Sequence, residues 1–208
     1  MARAPVVYEA RFGLNRQVLV TVLVAIALTA LAVATHVSAV VTVASVALFG
    51  AGGLIMLLIG LGGGVALRVD ADGITHRGPG LGPLLRPPPV TMAWPSVHRV
   101  LLFDQVVGFG TFGRIPYIGV ALHPGMLPPR GGSGRPWATR LAAGLLSHVP
   151  PDVIPLSRQV VGFEIDRARL IDAVAANAPD VEVVDVDLDG AVYPASPERP
   201  RRSPWTWR

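Results

Sequence analysis

The sequence predicts a membrane α-hairpin joined to an α+β domain, on three observations. No Asp, Glu, Lys or Arg occurs between Gln17 and Leu67. After Leu67 the long apolar runs give way to short alternating segments cut by Gly, Pro and Asp, the pattern of strands and turns. A single amphipathic helical repeat, Arg167 to Ala178, then follows the strands.

Composition narrows the chemistry. Apolar residues make up 51% of the chain and charged residues 15%, against about 25% charged in an average soluble domain. All 18 basic residues are arginine. Without lysine there is no P-loop lysine, no kinase lysine and no Schiff base. The absence of cysteine removes thiol nucleophiles, thiolate zinc sites, iron–sulfur clusters and disulfides. The net charge of +4 accompanies 23 Gly and 20 Pro and reads as composition bias, because basic composition alone is a weak footprint. No nucleic-acid partner is expected.

Residues 1–16 are expected as a cytoplasmic N-terminal segment and 17–64 as a two-helix transmembrane hairpin. A bilayer core about 30 Å thick needs about 20 apolar residues at about 1.5 Å per residue, so the uncharged run fits two crossings. They are placed over about Val18 to Thr35 and Val43 to Leu61, with the turn at His36, Val37, Ser38 and Ala39. A cleavable signal peptide fits less well, because the first apolar core exceeds the roughly 7 to 15 residues of such segments. Arg3, Arg11 and Arg16 precede the first helix, Arg68 and Arg77 follow the second, and the turn is uncharged. Both termini of this multi-pass cell-membrane protein are therefore expected in the cytoplasm. Gly60 and Gly64, like Ala47 and Ala51, are small residues four apart that would allow close helix packing, within the hairpin or between copies.

The domain is expected over 65–187. Asp70-Ala71-Asp72-Gly73 predicts a hairpin turn between Val65–Val69 and Ile74–Arg77, with Asp-Gly supplying the backbone such turns need. Further strands are expected at Val90–Trp94, Val97–Phe103, Tyr117–His123 and Val160–Ile165. A Gly- and Pro-rich insertion lies near 124–140, with a short apolar helix candidate from Thr139 to His148. Asp166 is the expected N-cap of the amphipathic helix and Pro179 its stop. Its apolar positions are Leu170, Ile171, Val174, Ala175 and Ala178. Val181 to Val186 reads as a short edge strand, and 188–208 as a disordered basic tail rich in Pro, Arg and Trp. Strands followed by one helix predict a bent antiparallel sheet or small barrel capped by that helix.

Leu67-Arg-Val-Asp-Ala-Asp-Gly-Ile74, Val90-Thr-Met-Ala-Trp-Pro-Ser-Val97, Phe163-Glu-Ile-Asp-Arg-Ala-Arg-Leu170 and Val181-Glu-Val-Val184 resemble the bacterial PH-like domains attached to two-helix membrane hairpins in actinobacterial proteins. The resemblance spans about residues 14 to 187 and rests on pattern and order. It implies a PH-like sandwich with a membrane-tethered binding role.

No catalytic residue, metal ligand or cofactor is assigned. Gly108-Phe-Gly-Thr-Phe-Gly113 satisfies G-x-G-x-x-G, but Pro116 and strand-like residues follow where a Rossmann helix would begin. A kinase-type glycine loop would need a lysine on the next strand. The five histidines lack H-x-x-x-H spacing. Asp185, Asp187 and Asp189 start like a calcium loop with Gly190 at the sixth position, yet Ser196 stands at the twelfth. No G-x-S-x-G elbow occurs.

The candidate contact residues are Arg77 and Arg86, bordering the first long loop, and Arg199, Arg201, Arg202, Trp205 and Trp207 in the tail. Arginines beside an anionic leaflet contribute about 1 kcal/mol each, and tryptophan favours the interface. The sequence is thus read as a noncatalytic membrane-anchored binding or scaffold module. Its expected partners are the bilayer, a protein at the membrane and anionic lipid headgroups. The alternative is an accessory subunit of a membrane transporter or enzyme complex, with Gly60 and Gly64 facing a partner helix.

Overall fold

A computed structural model describes residues 6–35, 38–78, 87–106, 114–129, 144 and 146–198. The elements are β1 (Tyr8–Arg11), α1 (Arg16–Ala34), α2 (Ala39–Leu61), β2 (Val65–Asp70), β3 (Gly73–His76) and β4 (Val90–Ala93). After these come β5 (Val97–Val106), β6 (Arg114–Leu122), β7 (Arg158–Gln159), α3 (Arg167–Asn177), β8 (Glu182–Val186) and β9 (Val192–Pro194). One sheet has the order β1-β2-β3-β4 and the other β7-β6-β5-β8-β9. Helices and mainly antiparallel sheets together make an α+β fold.

The first sheet begins before the apolar helices. Tyr8 pairs with Val69 and Ala10 with Leu67, so α1 and α2 are inserted in the connection between two neighbouring strands. The segment expected as a separate N-terminal stretch is thus partly a strand of the domain. Tyr8 and Ala10 point inward, at 2% and 4% exposure, while Glu9 and Arg11 face out and pair with each other. This alternation spans only four residues, too few to stand out in the sequence. Further along the sheet, β2 and β3 turn through Asp70 to Gly73 as expected. Gly73, at φ +147°, is obligatory, because a Cβ there would lie 2.1 Å from the Met92 carbonyl oxygen of β4.

Asn15 caps α1 by accepting from the Val18 N–H at 2.9 Å. Among the described residues, Ala39–Leu61 is long and apolar enough to cross a membrane and is mostly exposed, and Val18–Ala34 is a shorter apolar helix. The two helices pack antiparallel. A Cβ on Gly53 would lie 2.9 Å from Ala25 Cβ, and one on Gly60 would lie 2.9 Å from Leu14 Cδ2 and 3.2 Å from Val18 Cγ1. The small residues of this seam are therefore seven apart, opposite Val18 and Ala25, also seven apart. Gly64 lies beyond the end of α2, which stops at Leu61, so Gly60 and Gly64 do not form a pair on one helix. Away from the seam the side chains are exposed, with Leu23 at 63% and Leu48 at 70%.

The main core lies between the two sheets and α3, and includes Leu67, Ile74, Val100, Ile118, Leu170 and Val174. Asp166 caps α3 by accepting from the Arg169 N–H at 3.1 Å. The buried face of α3 uses Ala173, whereas Ala175 is exposed. A second cluster covers the other face of β5 and β8, with Val149, Val153 and Ile154 packed on Leu101, Phe103 and Val184.

Three sequence expectations are corrected here. The strand expected at Val160–Ile165 is replaced by the two residues of β7, because Gly162, at φ +77°, breaks the extended run. β8 is internal, parallel to β5 and antiparallel to β9. Its partner β9 lies within the segment expected as disordered, where Gly190, at φ +82°, turns the chain back. The turn at His36 and Val37, the glycine segment 107–113, the insertion from 130 to 140 and most of the Thr139–His148 helix candidate lie outside the described residues.

Candidate functional site

A groove of about 840 Å³ opens at the end of the second sheet, where β5, β6, β8 and β9 meet the loop leading into α3. The size suits a small ligand, since such sites span about 300–1,000 Å³. Phe103 and Tyr117 are among its lining residues, a cross-strand pair stacked with ring centroids 5.3 Å apart whose rings pack on the second core. The Tyr117 hydroxyl donates to Gln105 Oε1 at 2.8 Å, and burial raises its pKa. His148 closes the back of Phe103 edge-on, its Nε2 standing 3.1 Å from the Asp104 carbonyl oxygen.

The polar end is built by Arg167 at the start of α3 and Asp185 on β8. Arg167 Nη2 donates to both carboxylate oxygens, at 2.8 and 2.5 Å, while Nε donates to the Ser196 carbonyl at 3.1 Å. The two side chains are only 14% and 20% exposed. Partly buried and charge-assisted, this contact ties α3, β8 and the segment after β9 into one unit. Arg167→Ala would leave Asp185 without that donor in a half-buried position. Denaturant unfolding should show a loss of about 1–3 kcal/mol, with incomplete rescue by Arg167→Lys, because an ammonium lacks the planar fork.

The opposite end lies against the bases of the apolar helices. Asn15, the cap of α1, lines it together with Phe163 and Ile165. Phe163 packs edge-on against Phe12 at 5.5 Å, the Gly13 N–H donates to the Gly162 carbonyl at 2.8 Å, and a Cβ on Gly162 would lie 3.2 Å from Ile59 Cγ2. The loop from Gly162 to Ile165 is thereby stapled to both helices. Tyr8 fixes its far end, its hydroxyl oxygen accepting from the Asp166 N–H at 3.0 Å.

Of the basic residues singled out in the sequence, Arg77 is described and does not line this groove. Arg77 lies just after β3, where its N–H donates to the Ala66 carbonyl at 2.8 Å. Arg86, Arg199, Arg201, Arg202, Trp205 and Trp207 lie outside the described residues. Gly60 faces Val18 of α1 and the Leu14 side chain, within the hairpin. Sequence reading missed Arg167, Asp185 and the stacked aromatic pair, although Phe103 and Tyr117 both sat on expected strands. Among the described residues no group of three or more metal-ligating side chains gathers, and a strand, β6, begins at Arg114 where a Rossmann reading needs a helix. No family model, curated protein or solved structure matches the chain.

Proposed function

We propose that the protein is a membrane-anchored binding module, in which α1 and α2 cross the bilayer as a hairpin and hold a PH-like domain at the cytoplasmic face of the cell membrane. The pairing of β1 with β2 carries this reading. Strands on opposite sides of a bilayer cannot share a sheet, so the chain between them crosses an even number of times. With Ala39–Leu61 long enough to span, α1 supplies the return. Its 19 residues extend about 28 Å at about 1.5 Å each, close to the hydrocarbon thickness of about 30 Å. Large exposed apolar side chains on both helices suit lipid contact and would be a liability in water. Arginines flank both outer ends, which favours the cytoplasm for the domain.

A four-stranded meander, a second meander through β5, β6 and β7, and a following helix support the PH-like reading. The β8–β9 hairpin extends that plan. A binding role, as opposed to catalysis, accords with the engagement of Arg167 and Asp185 by each other.

The natural absence of cysteine makes the topology testable with single-cysteine variants at Val7, Ser38 and Asp189, all exposed. In intact spheroplasts a membrane-impermeant maleimide should label Ser38→Cys alone. Val7→Cys and Asp189→Cys should react only after permeabilisation. Labelling of Val7→Cys with protection of Ser38→Cys, or recovery of the chain as a soluble monomer without detergent, would overturn the proposal.

A further inference from the structure

We infer that His98 and His123 form a two-histidine site for one divalent transition metal ion of the kind that favours imidazole, such as zinc. His98 is the second residue of β5, and His123 follows the last residue of β6. The two strands are paired along their length, and their register steps between Val97 and Arg99, a bulge at His98. The extra residue puts His98 and Arg99 both on the exposed side, out of the alternation that buries Val97 and Val100. Bulges re-aim side chains in this way. The His123 N–H donates to the Ser96 carbonyl at 2.9 Å, which fixes the second histidine beside the start of β5. The two exposed rings meet with centroids 5.2 Å apart.

Two imidazoles bound to one zinc ion at about 2.0–2.1 Å, with a tetrahedral angle between the bonds, have ring centres about 5 Å apart. The histidine pair already stands at that separation. Its ring planes are inclined by 50°, which excludes a face-to-face stack. The χ2 angle of an exposed histidine turns within a broad well, so one nitrogen of each ring can face a common point. Neither imidazole makes a hydrogen bond or ion pair among the described residues, so coordination displaces no protein partner. The Arg99 guanidinium is drawn the other way, to Glu182 at 3.3 Å on β8, which lies on the side of β5 opposite β6. No third His, Cys, Asp or Glu joins the pair among the described residues. Two positions of a tetrahedral ion are thus left for water or for a ligand atom from another molecule, and the ion should exchange readily, unlike one in a four-ligand structural site. The location keeps those positions accessible. Trp94 Nε1 donates to the Asp70 carbonyl at 2.8 Å, so the corner from Trp94 to Ser96 beside the pair sits against the β2–β3 turn, at the end of the first sheet remote from α2.

The test uses the full, untagged chain in detergent micelles. Zinc alone is titrated by equilibrium dialysis with metal analysis, and cobalt(II) is titrated as a spectroscopic stand-in whose visible absorption intensifies in tetrahedral coordination. One ion per chain should bind saturably in each titration. His98→Ala and His123→Ala should each lose it, because a single imidazole cannot close the chelate. Both side chains are exposed, so the two variants should keep the unfolding midpoint of the parent in the absence of metal. Saturating zinc should raise that midpoint in the parent alone, since an ion bound to the folded state stabilises it by mass action. Failure of the parent to bind either ion overturns the inference. Equal binding by the parent and both variants also overturns it, as adventitious contact elsewhere on the chain.

Discussion

Gly119→Ala is expected to cost about 2–3 kcal/mol, and Gly119→Val more, without any change in membrane insertion. Gly119 lies on β6 opposite Leu101, with its backbone facing the segment that covers the second core. A Cβ there would lie 2.6 Å from Val153 Cγ1, 2.7 Å from Ser157 Oγ and 3.2 Å from Phe103 Cε1. None of these can withdraw cheaply. Val153 is branched at Cβ and fully buried, Ser157 Oγ is held by its bond to the Val153 carbonyl at 2.9 Å, and Phe103 is stacked on Tyr117. Overpacking of this kind costs about 1–3 kcal/mol and at times more. In a chain of this size each kcal/mol is worth about 2–4 °C, so thermal unfolding in detergent should move down by about 4–12 °C for the alanine variant. Gly52→Ala, inside α2 with nothing within 4 Å of the added Cβ, is the control that adds a methyl group without overpacking and should leave the midpoint unchanged or raise it by a few degrees. An unchanged midpoint for Gly119→Val would mean that the 146–156 segment does not pack against β6.

Local signals in the sequence were the ones that could be read. The Asp70–Gly73 turn, the Asp166 cap and the Pro179 stop each act within four residues, and all three lie where they were expected. The uncharged run likewise gave two apolar helices, because burying a charge in such a segment is costly wherever it folds. What failed was long-range. β1 is a four-residue strand whose partner lies more than fifty positions later, and β9 is three residues long and runs into the proline-rich tail, which offers weak strand propensity. The Arg167–Asp185 pair joins a helix to a strand 18 positions apart, a separation with no periodic signature. The helix seam was sought at a spacing of four, whereas two antiparallel helices met through Gly53 and Gly60 at a spacing of seven. The groove draws on β9 and the Arg167–Asp185 pair, so its location was invisible even though several of its strands were not.

Acid is expected to destabilise the domain between about pH 6.5 and 3, and His76 is the residue responsible. It lies on β3, 4% exposed, with no hydrogen-bond partner for Nε2 among the described residues. Burial, aided by the nearby Arg158 guanidinium, holds its pKa down at about 3. The unfolded chain would protonate this imidazole near the ordinary value of about 6.5, so below that pH the unfolded state binds a proton that the folded state refuses. Stability from this group is therefore complete above about pH 6.5 and declines as pH falls, by about 1.4 kcal/mol per unit. Leucine at this position keeps an apolar body of similar reach and removes both the titration and the unpaired nitrogen. Urea unfolding of the detergent-solubilised protein should therefore show His76→Leu close to the parent at pH 7.5 and more stable by about 2 kcal/mol at pH 5. Parallel stability profiles for the two proteins from pH 7.5 to 4.5 would show that the imidazole is solvated or paired in the folded state. Tight packing of the inner face of β3 between the two sheets would then be wrong. With it would go the account of why a histidine here is neutral, directly across from Leu67 and Val90 on the neighbouring strands.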